Sequence, residues 1–186
     1  MTGSILLWGG LALLVFWCVG LYNRLMRIRA RGLDALGSVD KHIKGYAATV
    51  QGHLEAMRHS ELATKDPEGN APLPAGWAHL VAELGKLEAI SKAARATPLA
   101  IGPMEALTHQ LEVVDLAWAM LCDEPADLAG PTVPAALAIE WEAVSQRVHI
   151  ARGGYNQIVA RYNEAIGQLP ARVVVGTMGF QPAGTL

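Results

Sequence analysis

Residues 5–57 read ILLWGGLALLVFWCVGLYNRLMRIRARGLDALGSVDKHIKGYAATVQGHLEAM. Ile5 to Leu21 is an almost unbroken apolar run, and Met1 to Asn23 contain no Asp, Glu, Lys, Arg or His. A helix of about 20 such residues, rising about 1.5 Å per residue, spans the roughly 30 Å hydrocarbon core of a bilayer. No proline precedes Pro67. Beyond the apolar run, Leu36, Val39, Ile43, Tyr46, Val50, Leu54 and Met57 recur at three-four spacing, the mark of a helix with one packed seam. The stretch predicts a transmembrane helix that continues without a break into a bundle. Gly32, Gly37, Gly45 and Gly52 each weaken that helix by up to about 1 kcal/mol relative to Ala, which packing must offset.

The segment 1–23 reads as a retained anchor. A cleaved leader needs a basic start and a small-x-small site. MTGS offers only the terminal amine, and the run ends in Trp17-Cys18-Val19-Gly20-Leu21-Tyr22. The bulky Val15-Phe16-Trp17 before Cys18 argues against a lipid-modified cysteine. Trp8 and Tyr22 lie where interfacial aromatics are expected. Arg24, Arg27, Arg29, Arg31, Lys41 and Lys44 follow, against Asp34 and Asp40. This positive-inside bias predicts the N-terminus outside and everything after it in the cytoplasm. The four arginines, with Phe180 near the other end, are candidate lipid contacts. Basic residues near an anionic surface contribute about 1 kcal/mol each, although topology signalling alone also accounts for the cluster.

The 15 Lys and Arg and 17 Asp and Glu leave a net charge of −2. That balance argues against a nucleic-acid footprint. Cys18 and Cys122 are far apart and form no disulfide framework, consistent with a cytoplasmic domain. Residues 24–170 suffice for one helical domain, and 171–186 form an apolar tail.

DPEGNAPLPAG (66–76) and DEPADLAGPTVP (123–134) read as loops. Between them a helix is expected from about Trp77 to Ala96, stopped by Thr97-Pro98. Another is expected from near Pro103, with Met104, Leu107, Leu111, Val114, Trp118 and Leu121 in heptad register. A last long helix spans about 134–169, with Thr132 as its expected N-cap, Pro134 in its first turn and Pro170 at its end. The Gly153-Gly154 pair in its middle suggests a close helix contact or a bend. The fold class is all-α: an N-terminal transmembrane helix continuing into an antiparallel bundle of about four long helices. From the bilayer the helices travel roughly 60 Å up, 30 Å down, 30 Å up and 50 Å down, at about 1.5 Å per residue. Pro170 then lies near the membrane again. The tail VVVGTMGF (173–180) either meets the headgroups or packs over the base of the bundle.

Residues 151–180 read ARGGYNQIVARYNEAIGQLPARVVVGTMGF. Two Tyr-Asn pairs, Tyr155-Asn156 and Tyr162-Asn163, stand seven residues apart, and Pro170 and then Gly179-Phe180 follow. This pattern resembles the LemA family of bacterial membrane proteins, whose last helix carries R-x-x-Y-N-x-x-V-x-x-Y-N-x-x-I-x-x-F-P before a tail ending in G-F. Arg152, Tyr155, Asn156, Val159, Tyr162, Asn163, Ile166, Pro170, Gly179 and Phe180 match it, and Leu169 stands where Phe is usual. Tyr22-Asn23-Arg24-Leu25 after the apolar span also matches. The middle departs: the family's Pro-Asn motif is absent from Ala47–Leu54, which marks a divergent member. The resemblance implies a single-pass protein of the bacterial inner membrane, N-terminus outside, with a long-helix bundle and no established catalytic activity. One branch of the family acts in building magnetosome membranes, so membrane organisation is an implied theme.

Residues seven apart lie two turns apart on one helix face. Arg152, Tyr155, Asn156, Tyr162, Asn163 and Pro170 therefore form a candidate face, either an interhelix hydrogen-bond ladder or a groove for a ligand or partner. The six histidines form no metal-binding pattern, and no Glu-x-x-His pair, phosphate loop or nucleophile motif occurs. Acidic neighbours would raise the Cys122 pKa. No cofactor is implied and no enzyme is expected. The leading reading is a non-catalytic, membrane-anchored scaffold or membrane organiser. The alternative is a sensor or binding module using the Tyr-Asn face. The expected partners are the lipid bilayer and membrane or cytoplasmic proteins. A seam left exposed would create a homo-oligomer.

Overall fold

The computed structural model describes residues 2–63, 73–125, 132–169 and 171–186. Five helices follow one another: α1 Thr2–Ala63, α2 Ala75–Ala96, α3 Ile101–Cys122, α4 Ala135–Gly167 and the short α5 Ala171–Val175. No strand occurs among the described residues. Residues 66–72 and 126–131 of the expected loops lie outside the described residues, as does Pro170.

α1 is one helix of 62 residues and is long and apolar enough to cross a membrane. Much of its apolar part is exposed: Leu13 and Phe16 are 75% and 80% exposed. From Leu25 onward one side is buried, through Leu36, Val39, Ile43, Tyr46, Val50 and Leu54. The expected seam and the observed core therefore coincide there.

The helices alternate in direction, as contacts along each pair show. Moving up α1 from Gly32 to Gly45 to Tyr46, the facing residues on α4 step down from Ile158 to Val144 to Trp141. On the α2 side, Asp40 accepts a hydrogen bond from Ser91 while the His53 ring packs, tilted, on Trp77. Between α2 and α3, Gln110 donates to Glu83, and Gly76 lies beside Leu121. A Cβ on Gly45 would come within 3.1 Å of Val144 Cγ1, so the missing side chain lets α1 and α4 approach.

α3 and α4 are joined differently at their two ends. Far from the apolar segment, Trp118 of α3 stacks on Trp141 of α4 with ring centroids 4.1 Å apart, and Trp141 leans on Tyr46 at 4.5 Å. Such pairs add about 0.5–1.5 kcal/mol beyond the area they bury. Near the apolar segment, hereafter the base, the C-terminal tail occupies the space instead.

Two local expectations are corrected. α4 begins at Ala135 with Pro134 as its N-cap residue and no side-chain cap, so Thr132 does not cap it and Pro134 precedes the first turn. The helix passes through Gly153-Gly154, both exposed, and a Cβ at either would meet nothing within 4 Å. No close helix contact depends on that pair.

Candidate functional site: a clamped tail and a basic hollow

The tail cannot continue α4. Gly176, Gly179, Pro182 and Gly184 all disfavour helix. α5 ends at a reversal in which Gly179 adopts φ +73°, a left-handed conformation open to glycine at little cost. There the Phe180 N–H donates to the Val175 carbonyl (3.3 Å) and the Gly179 N–H to the Gly176 carbonyl (3.5 Å). Val175 and Phe180, the two apolar residues flanking the turn, are both buried. This is a glycine-terminated helix end with its usual apolar contact. It gives the Gly-Phe pair a physical reason: glycine turns the chain and phenylalanine pins the turn.

Phe180, expected among the lipid contacts, is only 7% exposed, with its ring edge-on to Tyr22 at 5.7 Å. The turn has folded it inward, and Tyr22 covers it. Of the two readings of 173–180, packing over the base holds for Val175 and Phe180, while Val173 is 74% exposed.

After the turn the chain runs back along α4, antiparallel to it, in the grip of the Tyr-Asn pairs. Tyr162 donates its hydroxyl to the Gln181 carbonyl (3.0 Å), and Tyr155 donates to the Gly184 carbonyl (2.9 Å). Asn163 donates from Nδ2 to the Ala183 carbonyl (2.9 Å) and accepts the Ala183 N–H at Oδ1 (2.8 Å). Asn156 binds Leu186 in the same two-bond manner. A primary amide carries both donor and acceptor, so each asparagine pairs with one residue's backbone as a neighbouring strand would.

The spacing is a matched ruler. Seven helical residues rise about 10.5 Å. Three extended residues cover about 10 Å. Tyr155 and Tyr162 are seven apart and their acceptors, Gly184 and Gln181, are three apart; Asn156 and Asn163 hold Leu186 and Ala183 at the same interval. Burial pushes the Tyr155 hydroxyl up to about 12. Burial also raises Tyr162, against the opposing Arg29 charge and the bond to Gln181. Both phenols therefore remain neutral donors around pH 7.

On its other side the tail rests on the corner between α2 and α3. The Gly184 N–H donates to the Leu99 carbonyl (2.9 Å). Leu99 has φ +70°, a left-handed conformation costing a non-glycine residue about 1 kcal/mol, which the burial of its side chain against Gly32 helps offset. A Cβ on Gly184 would sit 2.8 Å from Ile101 Cα, so only glycine passes here.

Arg152 does not join the clamp. It is half-buried, its Nε has no hydrogen-bond partner, and its charge reaches Asp115 and Tyr46. Burial pushes the Tyr46 hydroxyl up to about 12, opposed by a bond from Ser145.

The four juxtamembrane arginines separate. Arg27 donates to the Asn23 carbonyl one turn back (3.3 Å), and Arg29 faces Tyr162 electrostatically. Arg24 and Arg31 line a hollow of about 230 Å³ between α1 and α4, together with Arg161, Glu164, Ile28 and Ile158. Arg161 carried no signal in the sequence by itself. Aligning α1 and α4 antiparallel would have placed it opposite Arg24 and Arg31.

Asp40, 8% exposed, was noted in the sequence only as a charge. It accepts from Ser91 Oγ (2.8 Å), Arg95 Nη1 (3.0 Å) and Lys44 Nζ (3.0 Å). Burial raises this carboxyl, but the Lys44 and Ser91 hydrogen bonds and the Lys44 and Arg95 charges outweigh it, and the net shift is downward. Among the described residues no group of three or more His, Cys, Asp or Glu is placed to hold a metal.

The model of the LemA family matches residues 78–186, from early α2 through the clamped tail. No curated protein and no solved structure matches the chain. The matched region holds both Tyr-Asn pairs, the Gly-Phe turn and the residues they grip, and the chain belongs to the LemA family.

Proposed function

We propose that the chain is a non-catalytic, membrane-anchored scaffold of the bacterial inner membrane, with its N-terminus outside and its bundle in the cytoplasm. The observation that carries the reading is α1 itself, whose apolar exposed segment and buried bundle seam belong to one helix. Two features add support. The arginines after Asn23 give the charge bias of a cytoplasmic flank. The hydrogen-bonding groups of Tyr155, Asn156, Tyr162 and Asn163 are engaged with the tail. A ligand on that face would have to displace residues 181–186, which disfavours the sensor reading relative to the scaffold.

The test uses the full chain in its native cells. A photo-crosslinking residue replaces exposed Leu116 or Met120 on α3, or Ile139 or Ile150 on α4. Discrete protein adducts that recur between preparations are expected. Lipid adducts alone at every position would overturn the scaffold reading. Exposed Cys122 reports the orientation in the same cells. It should resist a membrane-impermeant maleimide until the membrane is opened, and labelling of intact cells would reverse the proposed topology.

A further inference from the structure

We propose that the hollow between α1 and α4 binds the phosphate of one acidic phospholipid, whose acyl chains lie against the apolar base beside it. Arg24 and Arg31 stand seven residues apart, on one face of α1, and Arg161 meets them from α4. Among the described residues none of the three guanidiniums makes an ion pair or a hydrogen bond within the chain. The one carboxylate in the lining, Glu164, accepts a bond from Gln168 Nε2 (2.8 Å). Three cations against one carboxylate leave the hollow with excess positive charge. Guanidinium is well matched to phosphate oxygens.

The position selects the source of the phosphate. Arg24 is the first charged residue after the apolar run. Met178, in the turn after α5, lines an apolar hollow of about 280 Å³ with Leu14, Val15, Cys18, Val19 and Tyr22. The base of the bundle therefore reaches alongside the apolar helix, past the level of Arg24. Leu169, next in the chain after Gln168 of the basic hollow's lining, and Val173 on α5 are 77% and 74% exposed. A phosphate next to apolar surface, at the edge of an apolar helix, is the chemistry of a lipid headgroup. The inference rests on the anchor reading above.

The experiment uses full-length protein in nanodiscs of phosphatidylcholine alone or with added phosphatidylglycerol, and native mass spectrometry counts the lipid retained on release. Wild type should keep one phosphatidylglycerol in preference to phosphatidylcholine. R31Q/R161Q should weaken that retention by about thirtyfold, whereas R27Q/R29Q, which removes the same charge outside the hollow, should weaken it far less. L169S/V173S should retain less lipid of either kind while keeping its preference for phosphatidylglycerol and its melting temperature. Equal losses in the two arginine pairs would reduce the effect to diffuse surface charge and overturn the site. Displacement of the lipid by millimolar inorganic phosphate would also overturn it, by assigning the hollow to a free anion. Failure of wild type to float with vesicles would sink the anchor reading instead, and that result is separable from lipid choice.

Discussion

α4 carries two polar surfaces near the base, and they obey opposite rules. On one, Tyr155, Asn156, Tyr162 and Asn163 are spent on a single extended segment, in six hydrogen bonds. On the other, Arg161 faces Arg24 and Arg31 across a hollow, with no hydrogen bond or ion pair to any of them among the described residues. Polarity and periodicity mark the first surface in the sequence, whereas Arg161 of the second carries no such mark. Pairing separates them: the first surface has its ligand in the chain itself, and the second has charge left over.

The comparison is most exposed to change at Gly184. Replacing it with valine forces a side chain into the α3 backbone. The tail should lift, the protein should lose about 3 kcal/mol in denaturant unfolding, and the Ala183, Gly184 and Leu186 amides should exchange rapidly with deuterium. Retained protection would mean that the close approach of Gly184 to α3 is not what seats the tail. Asn163→Leu removes both bonds to Ala183 and should cost about 2 kcal/mol, more than Tyr155→Phe, which removes one bond and should cost about 1 kcal/mol. Equal costs would refute the strand-mimic role of the amide.

The phenols set an alkaline limit. A hydroxyl whose folded pKa is raised favours the folded state fully below its unfolded value near 10, and that contribution is lost as pH rises through the folded value of about 12. Tail protection should therefore fall between about pH 10 and 12, the window in which the bundle's helicity, followed by circular dichroism, should also weaken because the buried Tyr46 hydroxyl is raised to about 12 as well. Asp40 acts at the other extreme. Its lowered pKa gives stability above about pH 4 that is lost as pH falls below it, and Asp40→Asn should flatten that acid limb.

The smallest effects belong to the open surfaces. Arg161→Gln should leave the melting temperature of the lipid-free protein unchanged or slightly higher, because it relieves like-charge repulsion across the hollow. Gly154→Ala on the exposed side of α4 should add about 0.5–1 kcal/mol, since its Cβ meets open space. A destabilised Arg161→Gln variant would show that the hollow is structural, and the contrast between the two surfaces would fail.

Helical periodicity made much of this architecture legible. Leu36 to Leu54 and, apart from the partly buried Trp118, Met104 to Leu121 are buried where their spacing puts them, because a seam in a bundle is a local pattern repeated. The tail was not legible in the same way. Its Gly-Phe pair and the Tyr-Asn repeat are visible as motifs, but seven helical residues match three extended ones only once the direction of the tail is known. Thr132 and the close-contact reading of Gly153-Gly154 misled because local preference was taken for local contact: Pro134 supplies the helix entry, and the glycine pair faces outward. Arg161 and Gly184 matter through residues far away in sequence, and no window along the chain contains both members of either contact.

The unbroken run of α1 has a mechanical consequence. No proline interrupts its 62 residues, so a change in the angle of the apolar segment passes to the bundle without a hinge to absorb it. About 40 residues lie beyond Asn23, a lever of roughly 60 Å. A bilayer that thins or thickens alters the tilt of a spanning helix, and a change of about 10° would swing the far end of the bundle by about 10 Å. If the apolar segment spans a bilayer as proposed, the contact of His53 with Trp77, farther out along α1 than the stack of Trp118, Trp141 and Tyr46, would travel farther than that stack when the membrane changes thickness.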